Sequence, residues 1–383
     1  MLRDGSGLRD GSGYLLYHSI GQYPGKADDL ATAMAAFARI WGANDDTQWA
    51  YALGQRAAFI DRWRRIINAP DSSVTTCENV TSGLHMLIKA LPDGALRGKR
   101  VLVAADCFPS NHFLLAGLAA RMGFTLDTVP LRQGSPWVED EDFIAAWGAD
   151  VGLALLTWVS STSSHRIDLE ALVAHGRQMG SLIGVDITQA AGLLPFDVTK
   201  PAVDFTLSTS LKWMCGTPGA GILHVAPALI AQCHPEIRGW FSQDNPFSWD
   251  LTTFAFAPDI RRFDNGTPGT MAAIASLPAL DWHAGQDSAA LLAHNRILTA
   301  RIILAADDIG LPLATPRPES ARGGSVILRL ADAATAQRCL QTLREADLHA
   351  DARGATLRVS PGIVTTSDGT DRLITALQLL PKL

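Results

Sequence analysis

The chain has 383 residues, of which 47% are hydrophobic and 18% charged, so it can bury a large core and form two linked domains. Its net charge of −6 and isoelectric point near 5.9 argue against nucleic acid as a main partner. The five cysteines are scattered, with no C-x-x-C pair, which indicates reduced thiols rather than a disulfide framework or a zinc site.

The N-terminus opens with a tandem repeat, Leu2–Gly7 and Leu8–Gly13, whose glycines and serines predict a flexible tail over residues 1–13. This segment has no apolar signal core. The apolar run Val151–Val159 is far shorter than the roughly 20 residues that cross a membrane. We therefore expect a cytoplasmic protein without a membrane partner.

Residues 14–45 are predicted as an N-terminal segment that ends in a helix over Asp28–Trp41. A large domain is predicted over residues 46–270, and it begins with a helix at Trp49–Asn68. Short apolar strands then alternate with helices, which predicts an α/β fold with a mainly parallel sheet. The predicted strands are Val101–Ala104, Leu153–Thr157, Leu182–Val185, Phe205–Leu207 and Gly221–Val225, and the predicted helices are Gly83–Ala90, Asn111–Met122 and Leu169–Met179.

The alternation of strands and helices stops near Pro268, and we predict a domain linker around Gly266–Thr270. Residues 271–383 are predicted to form a smaller α+β C-terminal domain. Its predicted elements are helices at Met271–His294 and Leu298–Asp308, a strand at Ser325–Leu330, a helix at Ala334–Ala346, a strand at Thr356–Val359 and a helix at Thr370–Leu380.

Asp186 and Lys212 are the most informative pair of residues. Asp186 ends an apolar strand, and Lys212 follows the next strand and precedes a Gly-Thr-Pro-Gly turn. Ligands of open α/β sheets bind beyond the carboxyl ends of the strands. An enzyme that uses pyridoxal 5′-phosphate (PLP) needs both groups, because a lysine bonds covalently to the cofactor aldehyde and a carboxylate keeps the pyridine nitrogen protonated. A turn aspartate and a surface lysine are the ordinary alternatives.

Two further segments lie where such a cofactor would bind. Thr81 and Ser82 open a helix, whose free N–H groups and dipole suit a phosphate, although a simple helix cap has the same sequence. Phe108 follows a strand and can stack on a flat ring or pack in the core.

Three residues in the later part of the chain are candidates for the substrate pocket. Trp240 belongs to a Gly-Trp-Phe segment and Thr267 to a Gly-Thr-Pro turn, which together can line a pocket or form packing and a hinge. Arg358 lies on a predicted strand, where it can bind a substrate carboxylate through its bidentate fork or form an ion pair.

The order of these motifs resembles the class V aminotransferase superfamily of PLP enzymes, with a fold type I large domain, and within it kynureninase. The resemblance runs from Tyr14 to Leu380. The segments that carry it are Tyr14–Gly21, Phe108–Asn111, Asp186–Gly192, Gly216–Gly219, Arg238–Phe241, Arg262–Pro268 and Leu357–Pro361.

The resemblance implies a homodimer with its active site at the subunit interface, and a role for each matched residue. Lys212 would be the catalytic lysine, Asp186 would pair with the pyridine nitrogen, and Phe108 would stack on the ring. The phosphate would be held by Thr81 and Ser82, with Thr209 or Ser210, and by Thr267 from the second subunit. Asn111 would lie near the cofactor, His18, Ser19 and Trp240 in the substrate pocket, and Arg358 at the substrate α-carboxylate.

Three positions depart from kynureninase. Gln189 stands where kynureninases have histidine, and it can still donate a hydrogen bond to the cofactor phenolic oxygen. Leu211 replaces a tyrosine that binds phosphate and is implicated in proton transfer, and Tyr17 is the candidate substitute. Ser242 replaces a glycine.

The resemblance implies hydrolytic Cβ–Cγ cleavage of kynurenine or a related β-substituted amino acid. β-Elimination, transamination or epimerisation on the same scaffold, and a catalytically silent PLP-fold protein, are the alternatives. Desulfuration is not expected, because the segment Asp347–Ser360 has no cysteine.

Overall fold

The computed structural model describes residues 10–379. Its α-helices are α1 Lys26–Trp41, α2 Gln48–Ile66, α3 Val80–Ala90, α4 Pro109–Met122, α5 Asp140–Ala146, α6 Leu169–Met179, α7 Pro227–Ile230, α8 Met271–Ala284, α9 Ser288–Asp308, α10 Ala333–Glu345 and α11 Ser367–Gln378. Its strands are β1 Val74–Cys77, β2 Arg100–Ala104, β3 Thr125–Val129, β4 Val151–Thr157, β5 Leu182–Asp186, β6 Phe205–Thr209, β7 Gly221–Val225, β8 Val326–Arg329, β9 Asp351–Arg353 and β10 Thr356–Val359.

The large domain is built on a seven-stranded sheet in the order β1-β7-β6-β5-β4-β2-β3. Strand β7 is antiparallel to both its neighbours, and the other pairs are parallel. Helices cover both faces: Trp63 of α2 and Leu172 of α6 pack in one core, and Leu87 of α3 and Leu115 of α4 in the other. The predicted α/β fold with a mainly parallel sheet is confirmed. The parallel strands end at one edge of the sheet, which is where the candidate site lies.

The C-terminal part contains an antiparallel three-stranded sheet in the order β8-β10-β9. Helices α9, α10 and α11 pack on this sheet around a separate core. Leu15 joins that core, and Tyr14 and Leu16 form isolated parallel bridges with His349 and Ser360. The N-terminal segment therefore runs along the small sheet before it reaches α1 on the large domain.

The predicted flexible tail falls mostly on residues 1–9, which lie outside the described residues. Its last residues contact the C-terminal part of the chain. The Ser12 hydroxyl accepts a hydrogen bond from Arg372 Nη2 at 2.8 Å, and the Gly13 carbonyl accepts one from the His349 N–H at 2.9 Å. These contacts hold the start of the N-terminal segment against the small sheet.

The helices directly after residue 270 differ from the prediction. The sequence predicts one helix over Met271–His294, whereas α8 ends at Ala284 and α9 begins at Ser288. Gly285 follows α8, and the Asp287 side chain caps α9 by accepting from the Ala289 and Ala290 N–H groups. Helix α8 packs on α1 and α2 of the large domain, and α9 packs on the small sheet.

Helix α9 is long and apolar enough, by length and composition, to cross a membrane. Its contacts account for that sequence, because Ile302 and Ala306 lie in the core of the small domain. Asn295 Nδ2 donates to two backbone carbonyls, of Gly324 and Pro361, at 2.9 Å each. We interpret α9 as a partly buried packing helix, one face of which covers the small domain.

His224 is a buried histidine of strand β7, and both its ring nitrogens lack a hydrogen-bond partner within residues 10–379. Burial lowers the pKa of His224 to about 4. The unfolded imidazole takes a proton below its ordinary pKa of about 6.5, and the folded one does not until about 4. The stability contributed by the neutral form is therefore lost as the pH falls through this window.

We expect His224→Met to remove this acid sensitivity. Between about pH 8 and about pH 5, wild type should lose about 2 kcal/mol more of its free energy of unfolding than the variant. Urea unfolding at both pH values measures the difference, and exposed His234→Met is the control. An equal difference between wild type and variant at both pH values would contradict the prediction.

Candidate active site

A cavity of about 1280 Å³ opens beyond the carboxyl ends of β4, β5 and β6 and beside the N-terminus of α3. Eight of the candidate residues line it: Thr81, Ser82, Phe108, Asp186, Gln189, Thr209, Lys212 and Thr267. The other six do not line it: His18, Ser19, Asn111, Ser210, Trp240 and Arg358. More than half of the candidate residues thus line the cavity, and the positions of the six others have separate physical reasons.

Asp186 is the last residue of β5 and is buried. The Asn111 Nδ2 donates to its Oδ2 at 3.0 Å, and the Thr188 N–H donates to its Oδ1 at 2.9 Å. Both carboxylate oxygens are therefore oriented by the protein. Asn111, which the resemblance places near the cofactor, lies behind Asp186 and holds it in place.

Lys212 lies in the loop between β6 and β7, with its Nζ 5.2 Å from the centre of the Phe108 ring. Burial lowers the pKa of Lys212 to about 8, although Asp186 raises it in part and Arg358 lowers it further. The loop is fixed from the N-terminal segment: the Gly21 N–H donates to the Leu211 carbonyl at 2.9 Å. A side chain at position 21 would clash with the Lys212 carbonyl, so the backbones approach as only glycine allows.

The lowered pKa of Lys212 implies a cost in stability. At about pH 7, protonation of Lys212 is more favourable in the unfolded chain than in the buried site, and this difference destabilises the folded protein. In the cofactor-free protein, Lys212→Met should therefore raise the free energy of unfolding by about 3 kcal/mol. This gain should be present below about pH 8 and disappear above about pH 10.5, where both states are neutral. Urea unfolding at low and high pH tests it, and a gain that does not change with pH would contradict it.

Phe108 precedes α4, and 43% of its surface is exposed at the cavity. A core phenylalanine, the alternative that the sequence left open, would be buried. The ring is instead available to stack on a flat heteroaromatic group.

The N-terminus of α3 forms another wall of the cavity. Asn79 and Ser82 cap it reciprocally: the Asn79 side chain accepts from the Ser82 N–H at 2.9 Å, and the Ser82 hydroxyl bonds both backbone groups of Asn79. The Ser82 hydroxyl is thus used by the cap. The first N–H groups of the helix, at Val80 and Thr81, have no intrahelical acceptor and suit an anion.

Three threonine hydroxyls also line the cavity. Those of Thr157, Thr188 and Thr209 line it, are buried, and have no partner within residues 10–379. Ser210 differs, because its hydroxyl accepts from Trp63 Nε1 at 2.9 Å and donates to the Ala220 carbonyl at 2.7 Å. The donors that remain for a phosphate are therefore Thr209 rather than Ser210, with the N-terminus of α3.

Gln189 and His18 connect the cavity to the N-terminal segment. Gln189 Nε2 donates to the His18 carbonyl at 3.1 Å. The His18 ring is buried, with Nδ1 2.7 Å from the Ser360 hydroxyl, and burial lowers its pKa to about 4. The neighbouring Ser19 donates its N–H to the Leu16 carbonyl at 2.8 Å. In this structure His18 supports the cavity wall from behind, through Gln189, and Ser19 belongs to the turn that follows Leu16.

Arg358 lies on β10 and pairs with Asp351 of β9, so the ion pair that the sequence left open is present. Its Nη1 donates to the carbonyl of Ser161, which lines the cavity, at 3.2 Å. Asp351 was missed because β9 has only three residues, with no apolar pattern to reveal it.

Trp240 and Thr267 occupy the outer part of this region. Trp240 is partly exposed and packs edge-on against Phe241, with ring centres 4.6 Å apart. Thr267 lies at the exposed rim of the cavity. Arg56 also reaches the cavity and forms an ion pair with Asp264, with Nη2 2.7 Å from Oδ1, which anchors the segment before Thr267.

The tyrosine of the motif is replaced by Leu211 in this chain, and Tyr17 is its candidate substitute. Leu211 lines the cavity with an apolar side chain. The Tyr17 hydroxyl donates to the Gln22 carbonyl at 2.6 Å and accepts from the Val364 N–H at 3.1 Å. Burial raises its pKa well above the ordinary value. Tyr17 is therefore occupied in packing and is a poor substitute for a phosphate-binding or proton-transferring tyrosine.

Comparison with known proteins agrees with this geometry. The model of the class-V aminotransferase family matches residues 58–368. A kynureninase from Deinococcus radiodurans is 30% identical over 241 residues, which are 61% of this chain and 56% of that protein. Isopenicillin N epimerase from Streptomyces clavuligerus is 28% identical over 329 residues, 82% of each chain. The chain thus spans little more than half the length of that kynureninase.

Solved structures share the fold at low identity. Cysteine desulfurase from Thermococcus onnurineus NA1 superposes with a TM-score of 0.83 at 16% identity, over 95% of this chain and 93% of that one. A C-DES variant with glycine covalently linked to its PLP cofactor has a TM-score of 0.85 at 18% identity, over 97% of both chains.

The donor set of the cavity fits PLP. The Lys212 amine matches the cofactor aldehyde, and the oriented, buried Asp186 carboxylate matches the pyridine nitrogen. The exposed face of Phe108 matches the ring. The N-terminus of α3 and the threonine hydroxyls that have no partner among the described residues match the phosphate. The resemblance seen in the sequence is confirmed at the level of the family, with kynureninases among the relatives. The chain belongs to the class-V aminotransferase family, and its cofactor is pyridoxal 5′-phosphate.

Proposed function

We propose that the protein acts on a β-substituted α-amino acid, with hydrolytic Cβ–Cγ cleavage of kynurenine or a related compound as the leading reaction. The observation that carries the proposal is the pairing, on one cavity wall, of a Lys212 amine of lowered pKa with a carboxylate that two donors orient. Perturbed groups of this kind cluster at catalytic sites.

When bound, PLP supplies a ring that withdraws electrons from the substrate α-carbon. Lys212 would hold the aldehyde carbon, Asp186 the ring nitrogen, Phe108 the ring face, and Thr81 and Thr209 the phosphate. With a pKa of about 8, the Lys212 amine can take and return a proton near neutral pH, as a general base requires. Gln189, buried at the cavity wall, would orient the ring edge.

The substrate α-carboxylate would be held by Arg358. Its guanidinium is buried close to Lys212, near enough to lower the pKa of that amine. An arginine fork recognises a carboxylate in a bidentate manner.

We also propose that the protein is a cytoplasmic homodimer. In the segment of sequence between Trp240 and Thr267, three large apolar side chains are strongly exposed: Phe247 by 73%, Trp249 by 85% and Leu251 by 98%. Exposed apolar patches mark interaction surfaces. A second copy of the chain would cover this one and place Thr267 beside the site of its partner. Sedimentation of the purified protein tests the dimer.

A second candidate is epimerisation, with β-elimination or transamination as related outcomes of the same α-proton removal. It is favoured by Leu211, which offers no hydroxyl at the cavity, and by the epimerase that matches 82% of each chain. None of these reactions needs the tyrosine that kynureninases place before the lysine.

The two candidates are distinguished with L-kynurenine and with a panel of α-amino acids in heavy water. Release of anthranilate and alanine, followed by fluorescence and mass spectrometry, would support hydrolysis. Deuterium incorporation at Cα with inversion, and without anthranilate, would favour epimerisation. Absence of deuterium exchange and of products for every amino acid would contradict both and leave the catalytically silent alternative.

A further inference from the structure

Arg358 already has a carboxylate partner within the chain. Asp351 lies directly across from it on β9, and its Oδ2 accepts a hydrogen bond from Arg358 Nη2. The Arg358 Nη1 donates to the Ser161 carbonyl, while Nε is buried without a partner in the described part of the chain. Of the three guanidinium nitrogens, Nε thus has no acceptor among the described residues, and it lies beside a neutralised charge.

The pair explains how the arginine is tolerated in its buried position. Only 10% of the Arg358 side chain is exposed, and a buried charge without a partner is strongly unfavourable. Burial raises the pKa of Asp351, but hydrogen bonds from His18 and Arg358 lower it more, so it lies well below its usual range. His18, whose Nε2 lies 3.5 Å from Oδ2, is neutral near pH 7 and adds no charge.

Besides Arg358 and His18, Asp351 has a second arginine partner. Its Oδ1 lies 3.4 Å from Nη1 of Arg353, a side chain that is 71% exposed, and Asp351 itself is 21% exposed. Strand β9 is an edge strand of the small sheet, so a rotation of the side chain towards Arg353 and solvent breaks no core packing. The carboxylate can therefore leave Arg358 without becoming buried and unpaired.

We propose that Asp351 occupies Arg358 in the free protein in place of the substrate α-carboxylate, and moves to Arg353 and solvent when the substrate binds. The inference rests on the proposed function in that Arg358 binds the α-carboxylate. Exchanging one carboxylate for another leaves the charge at Arg358 unchanged. An amine without a carboxylate does not displace Asp351, so the exchange sets the affinity for α-amino acids and leaves the affinity for plain amines unchanged.

Asp351→Asn tests the exchange, because it keeps the size and an acceptor oxygen but removes the competing charge. The probe is propionate, with propionamide as its uncharged counterpart, and binding to the PLP-loaded protein is measured by calorimetry. We expect the variant to bind propionate about tenfold more tightly than wild type, equivalent to about 1.4 kcal/mol, and neither protein to bind propionamide. Adding Arg358→Gln to the variant should abolish propionate binding.

Arg353→Gln gives an independent test in a protein with an intact Asp351–Arg358 pair. It removes the second arginine partner of Asp351. Propionate binding should weaken, because the displaced carboxylate then has no cation to move to. Equal propionate affinity in wild type and Asp351→Asn, or weaker binding in the variant, would overturn the exchange and leave Asp351 as a residue that positions Arg358. Tighter propionate binding without turnover of any amino acid would support the exchange and contradict the proposed reaction, so the two can fail separately.

Discussion

Lys212→Ala is expected to abolish turnover and to remove the visible absorption band of the PLP-loaded protein. Among the described residues that line the cavity, Lys212 is the one lysine, and its amine can bond covalently to an aldehyde and also carry a proton near neutral pH. Loss of a general base alone lowers a rate by about 10²–10⁴-fold, and loss of the covalent link adds to this. The measurement is an absorbance spectrum with and without PLP, followed by kcat with L-kynurenine or with the amino acid that the panel shows to react.

Two further variants make this result interpretable. Lys89→Ala removes a lysine that pairs with Glu236 at the surface, with Nζ 2.6 Å from Oε1, and should change neither spectrum nor rate. Lys212→Arg keeps a positive charge but cannot form the covalent bond, so it should behave like Lys212→Ala. A visible band that persists in both Lys212 variants would refute the assignment of Lys212.

The α/β fold could be predicted from the sequence because its central strands are short runs of apolar, mostly buried residues. The missed strand β3 has one fully buried residue, and its Asp127 pairs with Arg100 on β2, so it lacks an apolar signal. The break between α8 and α9 was also missed, although Gly285 and Asp287 are residue types that commonly end one helix and begin the next.

A site residue could be predicted where its residue type and its position in an element together indicate a role, as for Asp186 at the end of a strand. What each polar atom bonds to depends on tertiary contacts that no local pattern contains. Ser82 and Ser210 are such cases, since a helix cap and Trp63 use their hydroxyls. The partner of Arg358 is another, because the register of β9 against β10 sets it.

Asp186→Asn is expected to lower kcat by about 10²–10³-fold and to weaken PLP binding. The substitution removes the negative charge that would hold the ring nitrogen protonated, and preorganised charges of this kind contribute rate factors of that order. The amide would also meet the Asn111 Nδ2, which now donates to a carboxylate oxygen at 3.0 Å. PLP affinity is measured by the quenching of tryptophan fluorescence, and kcat by product formation.

Asn111→Ala separates the charge of Asp186 from its orientation. Asn111 is fully buried and reaches the cavity only through Asp186, so its loss should lower kcat by about tenfold in wild type. In the Asp186→Asn background the same change should have almost no further effect, because the interaction it supports is already gone. Melting temperatures of all four proteins control for damage to the core. Independent, multiplicative losses in the double variant would show that Asn111 does not act through Asp186.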